Sequence, residues 1–282
     1  MKRNVIRRKP VDPKSGADND SDSRDGGVQS VDRALSIIEV LAEDDEGYRL
    51  TDLAVRTGLS TSTVHRLLAT LEKRRFVQFD RTESKWHVGA QSFAVGATFA
   101  RRRNFTAQAM PYLRKLRDLT RETANLAVVD DESIIVLTRM ESREIMRSLT
   151  KVGGRVAMVA SGVGKAVLAT YSDADVNAII CRQGMPRLTE KSIVRPGELF
   201  RELEVIRRQG YAVDDEEARM GLRCVAAVVY SDCSEPLAAI SVSGMTSRVT
   251  QERVPELGKI VRDVAAELTV ALGGVMPKMK MP

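Results

Sequence analysis

Three places in the chain carry residue types capable of chemistry. Ser60, Ser62 and His65 offer hydroxyls beside an imidazole, the raw material of a nucleophile and its base. The segment SGVGKA (161–166) has the glycines and lysine of a phosphate cradle. Cys181, Cys224 and Cys233, with His65 and His87, are the soft metal ligands. None of the three makes an enzyme. Ser60 stands where a helix begins, and capping that helix accounts for its hydroxyl. No GxSxG precedes a suitable helix. Val159 occupies the place of the first phosphate-loop glycine, and Ala166 replaces the Ser or Thr that would hold a metal. The cysteines form no CxxC and lie far in sequence from both histidines, so neither a zinc site nor a disulfide framework is expected. Both histidines fall in the first third, leaving the rest without a histidine base. The expectation is a protein without catalytic residues, cofactor or metal.

What remains is recognition, and charge bears on its partner. The chain of 282 residues carries a net charge of +6. Residues 47–104 hold 11 Lys and Arg against 4 Asp and Glu, a balance of +7, so the remainder carries −1. A basic block beside a near-neutral one fits either contact of the first part with a polyanion or a solvated basic face, and charge alone leaves both open. No apolar run approaches the ~20 residues a membrane-spanning helix needs, and the basic start MKRNVIRRKP is followed by no apolar segment of a secretory signal. A cytoplasmic protein without membrane contact is expected.

The elements that position these residues follow from periodicity. Residues 1–27, ending in SGADNDSDSRDGG, are polar and Gly-rich and predict a disordered tail. Val31, Leu35, Ile38 and Leu41 recur at helical spacing and predict a first helix. Thr51 is placed to cap a second, with Leu53 and Ala54 turned inward; Gly58 then turns the chain and Ser60 caps a third. In that third helix Val64, Leu67, Leu68 and Leu71 form an apolar stripe, opposite Ser62, Thr63, His65, Arg66, Ala69, Thr70 and Lys73. A short helix, a Gly-containing turn and a helix with a polar, basic outer face is the helix-turn-helix pattern. FVQFD and KWHVG around a charged tip predict two strands of a wing. On such a helix the N-terminal residues Thr61, Ser62, Thr63, His65 and Arg66 meet base edges in the major groove of duplex DNA. Arg66, whose fork can hold a guanine, is the first choice for base reading. The hydroxyls and Lys73 suit phosphates, and Arg81 and Lys85 in the wing suit backbone or minor groove.

Helix 89–104 is read as a linker whose Phe93, Ala94, Ala97 and Ala100 face one partner, a second copy or the chain's own domains. Beyond it, a helix at 105–122 leads to strands ETANLAVVDD and ESIIVLTRME, with further strands at 145–151, 155–159, 211–214, 223–230 and 236–243. Helices are expected at 162–170, 173–182, 197–209 and 251–273. Strands, then helices, then strands, without a βαβ rhythm, predict an α+β domain with a largely antiparallel sheet.

VQSVDRALSIIEVLAE, LTDLAVRTGLSTSTVHRLLATLEKRRFV and KWHVGAQSFAVGA resemble the DNA-binding half of the IclR family of transcriptional regulators. ASGVGKAVLA, GYAVDDEEARMGLRCVAAVV and PLAAISVSG resemble its effector-binding half, in order from about Val28 to Leu272. The wording is nearest to the glyoxylate-responsive members of the AllR and BhcR type. The resemblance implies a winged helix-turn-helix domain over 28–88, a linker helix over 89–104, a GAF-like effector domain over 105–275 and a tail over 276–282. It also implies a homodimer or dimer of dimers whose grip on its operator changes when a small carboxylate binds. By that resemblance Gly162 and Val163 offer backbone amides to the carboxylate, Asp214 and Cys224 contact it and Leu222 forms an apolar wall. Ser241 and Ser243, two apart on one strand face, supply hydroxyls. Asp214 beside an anion either accepts a hydrogen bond from a hydrated aldehyde or carries a proton itself. The competing reading is an architectural or RNA-binding winged-helix protein whose C-terminal domain only oligomerises.

Overall fold

The computed structural model describes residues 28–102, 105–130, 133–142 and 151–277. Two compact units divide between Gly96 and Ala97. The tail 1–27 and residues 145–150 of the strand expected at 145–151 lie outside the described residues.

The first unit runs α1 (Gln29–Glu43), α2 (Leu50–Thr57), α3 (Thr61–Lys73), β1 (Val77–Asp80), β2 (Lys85–Val88) and the start of α4 (Ala90–Arg102). Its core is Ile37, Leu41, Leu53, Val64, Leu68, Val77 and Trp86. Burial therefore follows the expected stripe of α3. In α1 the expected Leu41 is buried and Ile38 packs on the core, but the stripe is corrected at its start: Ile37 is the other buried residue, and Val31 and Leu35 are more than half exposed. All of these are apolar at helical spacing, so periodicity alone did not choose between them. The cap of α2 is corrected too. Arg49, in extended conformation, holds the cap position with no side-chain bond, and Thr51 is the second residue of the helix. Leu50 packs on the core, which draws the helix start upstream of Thr51. Ser60 caps α3 as expected, its Oγ accepting from the Thr63 amide at 3.2 Å. β1 and β2 pair antiparallel, and Tyr48 adds a bridge to Trp86. The unit takes in the first turns of α4 because that stretch is tied down locally: the Gln91 amide donates to the Arg75 carbonyl and the Ser92 hydroxyl to that of Phe76.

The second unit comprises α5 (Phe105–Thr120), β3 (Thr123–Asp130), β4 (Ser133–Met140), β5 (Arg155–Ala157), α6 (Gly162–Leu168), α7 (Asp173–Gln183), α8 (Pro196–Gln209), β6 (Ala212–Asp215), β7 (Leu222–Tyr230), β8 (Pro236–Met245) and α9 (Val254–Ala271). Its six strands lie in the order β5-β4-β3-β8-β7-β6, every neighbouring pair antiparallel. Alternation along the central strands gives the sheet two buried faces. Leu126, Val128, Val225, Val229, Ile240 and Val242 pack on α5 and α9. The opposite face presents smaller residues, Ala127, Ala212, Ala226 and Ala239, to α6, α7 and α8. No helix among the described residues is long and apolar enough to cross a membrane.

Candidate functional site

In the first unit the expected DNA-reading residues stand on the water side of α3 and the wing. Thr61, Ser62, His65, Arg66, Lys73 and Arg81 are exposed; Thr63 and Lys85 are half-buried. The α3 start is ordered by hydroxyls, since Ser60 Oγ lies 3.1 Å from Ser62 Oγ and 2.8 Å from Thr63 Oγ1. His65 and Arg81 share a groove of about 500 Å³ between helix and wing, with Glu72, Phe79 and Trp86. Lys85 pairs with Glu83 at 3.1 Å. At the wing tip Asp80 Oδ1 accepts the amides of Thr82 and Glu83. These backbone bonds hold its carboxyl below the ordinary carboxylate range.

The second unit collects its polar side chains inside. Register places Asp214 of β6 opposite Cys224 of β7, Cys224 opposite Ser243 of β8, and Ser243 opposite Thr123 of β3. The next row on the same face is Ala212, Ala226, Ser241 and Asn125. Cross-strand partners project to one side of a sheet, so the expected effector residues Asp214, Cys224, Ser241 and Ser243 form one patch. Leu222, two residues before Cys224, shares that side. Asn125 belongs to the patch but was not anticipated. Its Nδ2 donates to Ser241 Oγ and Ser243 Oγ, both at 3.3 Å. An asparagine within an otherwise apolar strand was the available sign.

The start of α6 lies against this patch. A Cβ on Gly162 would sit 3.2 Å from Cys224 Sγ and 3.5 Å from the Asp214 amide. At Gly164 it would come within 2.2 Å of the Met158 carbonyl, a clash no side chain can relieve. Ser161 caps the helix, accepting from Gly164 N at 3.1 Å. Gly162 and Val163 carry the first amides of α6, for which a helix provides no acceptor of its own. Gly162, Val163, Asp214, Cys224 and Ser241 are buried; Leu222 and Ser243 are partly so.

The electrostatics of the patch are those of desolvation. Burial, reinforced by the charge of Glu217, pushes the Asp214 carboxyl up to about 6. Burial and the Asp214 charge push the Cys224 thiol up to about 11, far from a reactive thiolate. Asp214 Oδ1 accepts the amides of Glu217 (2.8 Å) and Ala218 (3.2 Å). Lys165, fully buried in α6, donates to Glu217 Oε1 at 2.5 Å and Glu202 Oε1 at 3.3 Å. Glu217 Oε2 is buried without a hydrogen-bond partner among the described residues. A lone lysine in the apolar run VASGVGKAVLA was the sequence sign of this cluster.

Residues 30–81 match the IclR helix-turn-helix domain and residues 97–270 match the bacterial transcriptional regulator IclR C-terminal domain. The chain belongs to the IclR family. The acetate operon repressor of Salmonella typhimurium is 42% identical over 251 residues, 88% of this chain and 92% of its own. The HTH-type transcriptional regulator BhcR of Paracoccus denitrificans is 37% identical over 247 residues, 88% of each chain. A crystal structure of an IclR regulator from Alicyclobacillus acidocaldarius shares 26% identity at a TM-score of 0.73, covering 88% of this chain and 100% of its own. The helix-turn-helix unit is thus the DNA-binding part of an IclR-type transcriptional regulator, and the antiparallel α+β unit is its IclR C-terminal domain. The protein is a regulator and not an enzyme.

Proposed function

We propose that this IclR regulator binds its operator as a homodimer, or a dimer of dimers, and that a small 2-oxo acid sets the strength of binding. Glyoxylate is the first candidate, with pyruvate and glycolate behind it. The observation that carries the reading is the polar patch of buried Asn125, Asp214, Cys224 and Ser241 with half-buried Ser243, bordered by Ala212 and Ala226. A domain that only oligomerises has no use for five polar side chains on a desolvated sheet face, each of which costs stability unless hydrogen-bonded. Small neighbours suit a ligand of a few heavy atoms. The Gly162 and Val163 amides would receive the carboxylate, the serine hydroxyls and Asp214 would address the aldehyde or its hydrate, and Leu222 would close the apolar side.

On DNA, Arg66 would read a guanine while Thr61, Ser62, Thr63 and His65 meet neighbouring edges or phosphates. Lys73, Arg81 and Lys85 would hold the backbone. Dimer contact is supported by apolar side chains exposed on α1 and α4: Val31, Leu35, Phe93, Val95 and Phe99. A dimer would reach two half-sites about 34 Å apart, or a multiple of that. Thermal shift against glyoxylate, pyruvate, glycolate and benzoate tests the effector, because ligands of the native state raise the melting temperature. Glyoxylate should raise it and change operator affinity in a gel-shift titration. A response to benzoate with none to the small acids would overturn the small-site reading.

A further inference from the structure

Around Asp214 the charges do not balance. From α6 it is faced by Lys165, from its own turn by Glu217 and from β7 by the Cys224 thiol, and Lys165 is shared in turn with Glu217 and with Glu202 of α8. Its neighbours Asp215 and Arg223 face away, paired to each other, and Glu216 is paired with Lys191. One ammonium therefore serves three carboxyls, two of them buried, and Glu217 Oε2 has no hydrogen bond among the described residues. With every group ionised the cluster carries two uncompensated negative charges, and Asp214 stands in the same cross-strand row as Cys224 and Ser243 of the polar patch. A carboxylate arriving at that place would be a third. In a desolvated site such repulsion is relieved by protonating one of the acids.

We propose that a carboxylate effector enters this site together with one proton, which lodges on Asp214 and converts that side chain from a repelling anion into a hydrogen-bond donor. The inference rests on the effector reading above. Asp214 Oδ1 is already committed to the amides of Glu217 and Ala218. The proton therefore goes to Oδ2, and the turn keeps its bonds in either state. Since burial has raised the free carboxyl to about 6, part of the cost of protonation is met before the ligand arrives. The sign follows from linkage. Above pH 6 the free protein lacks the proton and must take it up, so affinity should rise about tenfold for each pH unit of acidification. Below it the free carboxyl already holds the proton and the dependence should flatten.

Calorimetric titration of the full chain with glyoxylate at about pH 7.5, in phosphate and in Tris, measures the proton directly. The two apparent enthalpies should differ by the difference in buffer ionisation enthalpy times an uptake of about one proton per site. Asp214→Asn keeps an oxygen for the two amides and should bind glyoxylate without proton uptake and without the pH dependence. Glyoxylate binding to wild type with no proton uptake, or with affinity flat across pH, overturns the proposal whatever the variant does. If the chain binds pyruvate or glycolate but not glyoxylate, the same titration with that acid decides it. If none of the three binds, the effector reading falls and takes this inference with it.

Discussion

One unit exposes its candidate recognition residues to water and the other buries them. In the first, Thr61, Ser62, His65, Arg66 and Lys73 project into water from a helix held by Val64 and Leu68 on its other face. In the second, Asn125, Asp214, Cys224 and Ser241 lie inside, in a sheet both of whose faces pack on apolar clusters. An exposed reading face can change without disturbing its fold, because surface substitutions stay within about ±0.5 kcal/mol. A buried polar patch cannot, since each group removed leaves another without its partner. Function and stability should therefore separate in the first unit and travel together in the second. The single tryptophan, Trp86, sits in the core of the first unit and reports on it alone.

The largest effect tests the buried half of that contrast. Lys165→Met should destabilise the second unit by about 3–5 kcal/mol, because Glu217 and Glu202 lose their cation in a desolvated place. In urea, the far-UV transition should move to lower denaturant while Trp86 fluorescence keeps its midpoint. A Trp86 transition that moved equally would mean that the two units unfold as one and would break the comparison.

Next comes the serine pair. Ser241→Ala/Ser243→Ala should weaken glyoxylate binding by about 1.5–3 kcal/mol for each hydrogen bond to a charged ligand. It should also lower stability, because the Asn125 amide loses both acceptors. Operator affinity without ligand should be unchanged. Calorimetry and gel shift on the same preparation measure both. A variant of unchanged stability would show that this patch is not coupled to the fold.

How far the sequence spoke for each region follows the same division. The α3 stripe, the Ser60 cap and the wing strands were legible because they depend on residues a few positions apart. The α1 face was legible only at its C-terminal end, where Ile38 and Leu41 join the core as expected, while Val31 and Leu35 satisfy the same spacing and are exposed because the helix start has nothing of its own unit to pack on. In the second unit the strands were visible one by one, but the patch depends on their register and order. Nothing in PLAAISVSG says that Ser241 lies beside Asn125, 116 residues away. Asn125 and Lys165 were each an anomaly of type: an amide in an apolar strand and an ammonium in an apolar helix. Their partners became visible only in three dimensions.

A smaller effect belongs to Arg66. Its replacement by alanine should reduce discrimination between operator and altered operator by about 1–3 kcal/mol, the worth of one bidentate guanine contact. The Trp86 transition should stay where it is. Equal affinity of Arg66→Ala and wild type for the operator would remove this residue from base reading.

The smallest effect is at Lys73, and it separates positioning from reading within the exposed face itself. Lys73 ends α3, exposed, and stands about two helical turns beyond Arg66, the last of the residues proposed to meet base edges. Its charge is free to neutralise one phosphate, releasing about one counterion. Lys73→Ala should therefore lower the slope of log affinity against log salt by about 1, equally for operator and unrelated DNA. Lys85 provides the comparison. It already faces Glu83 at 3.1 Å, so the wing tip carries less free charge and Lys85→Ala should reduce the slope by less. Fluorescence anisotropy over a salt series measures both slopes on the same labelled duplex. A Lys73→Ala loss confined to the operator would make that residue a reader of sequence and move the base-reading surface toward the C-terminal end of α3.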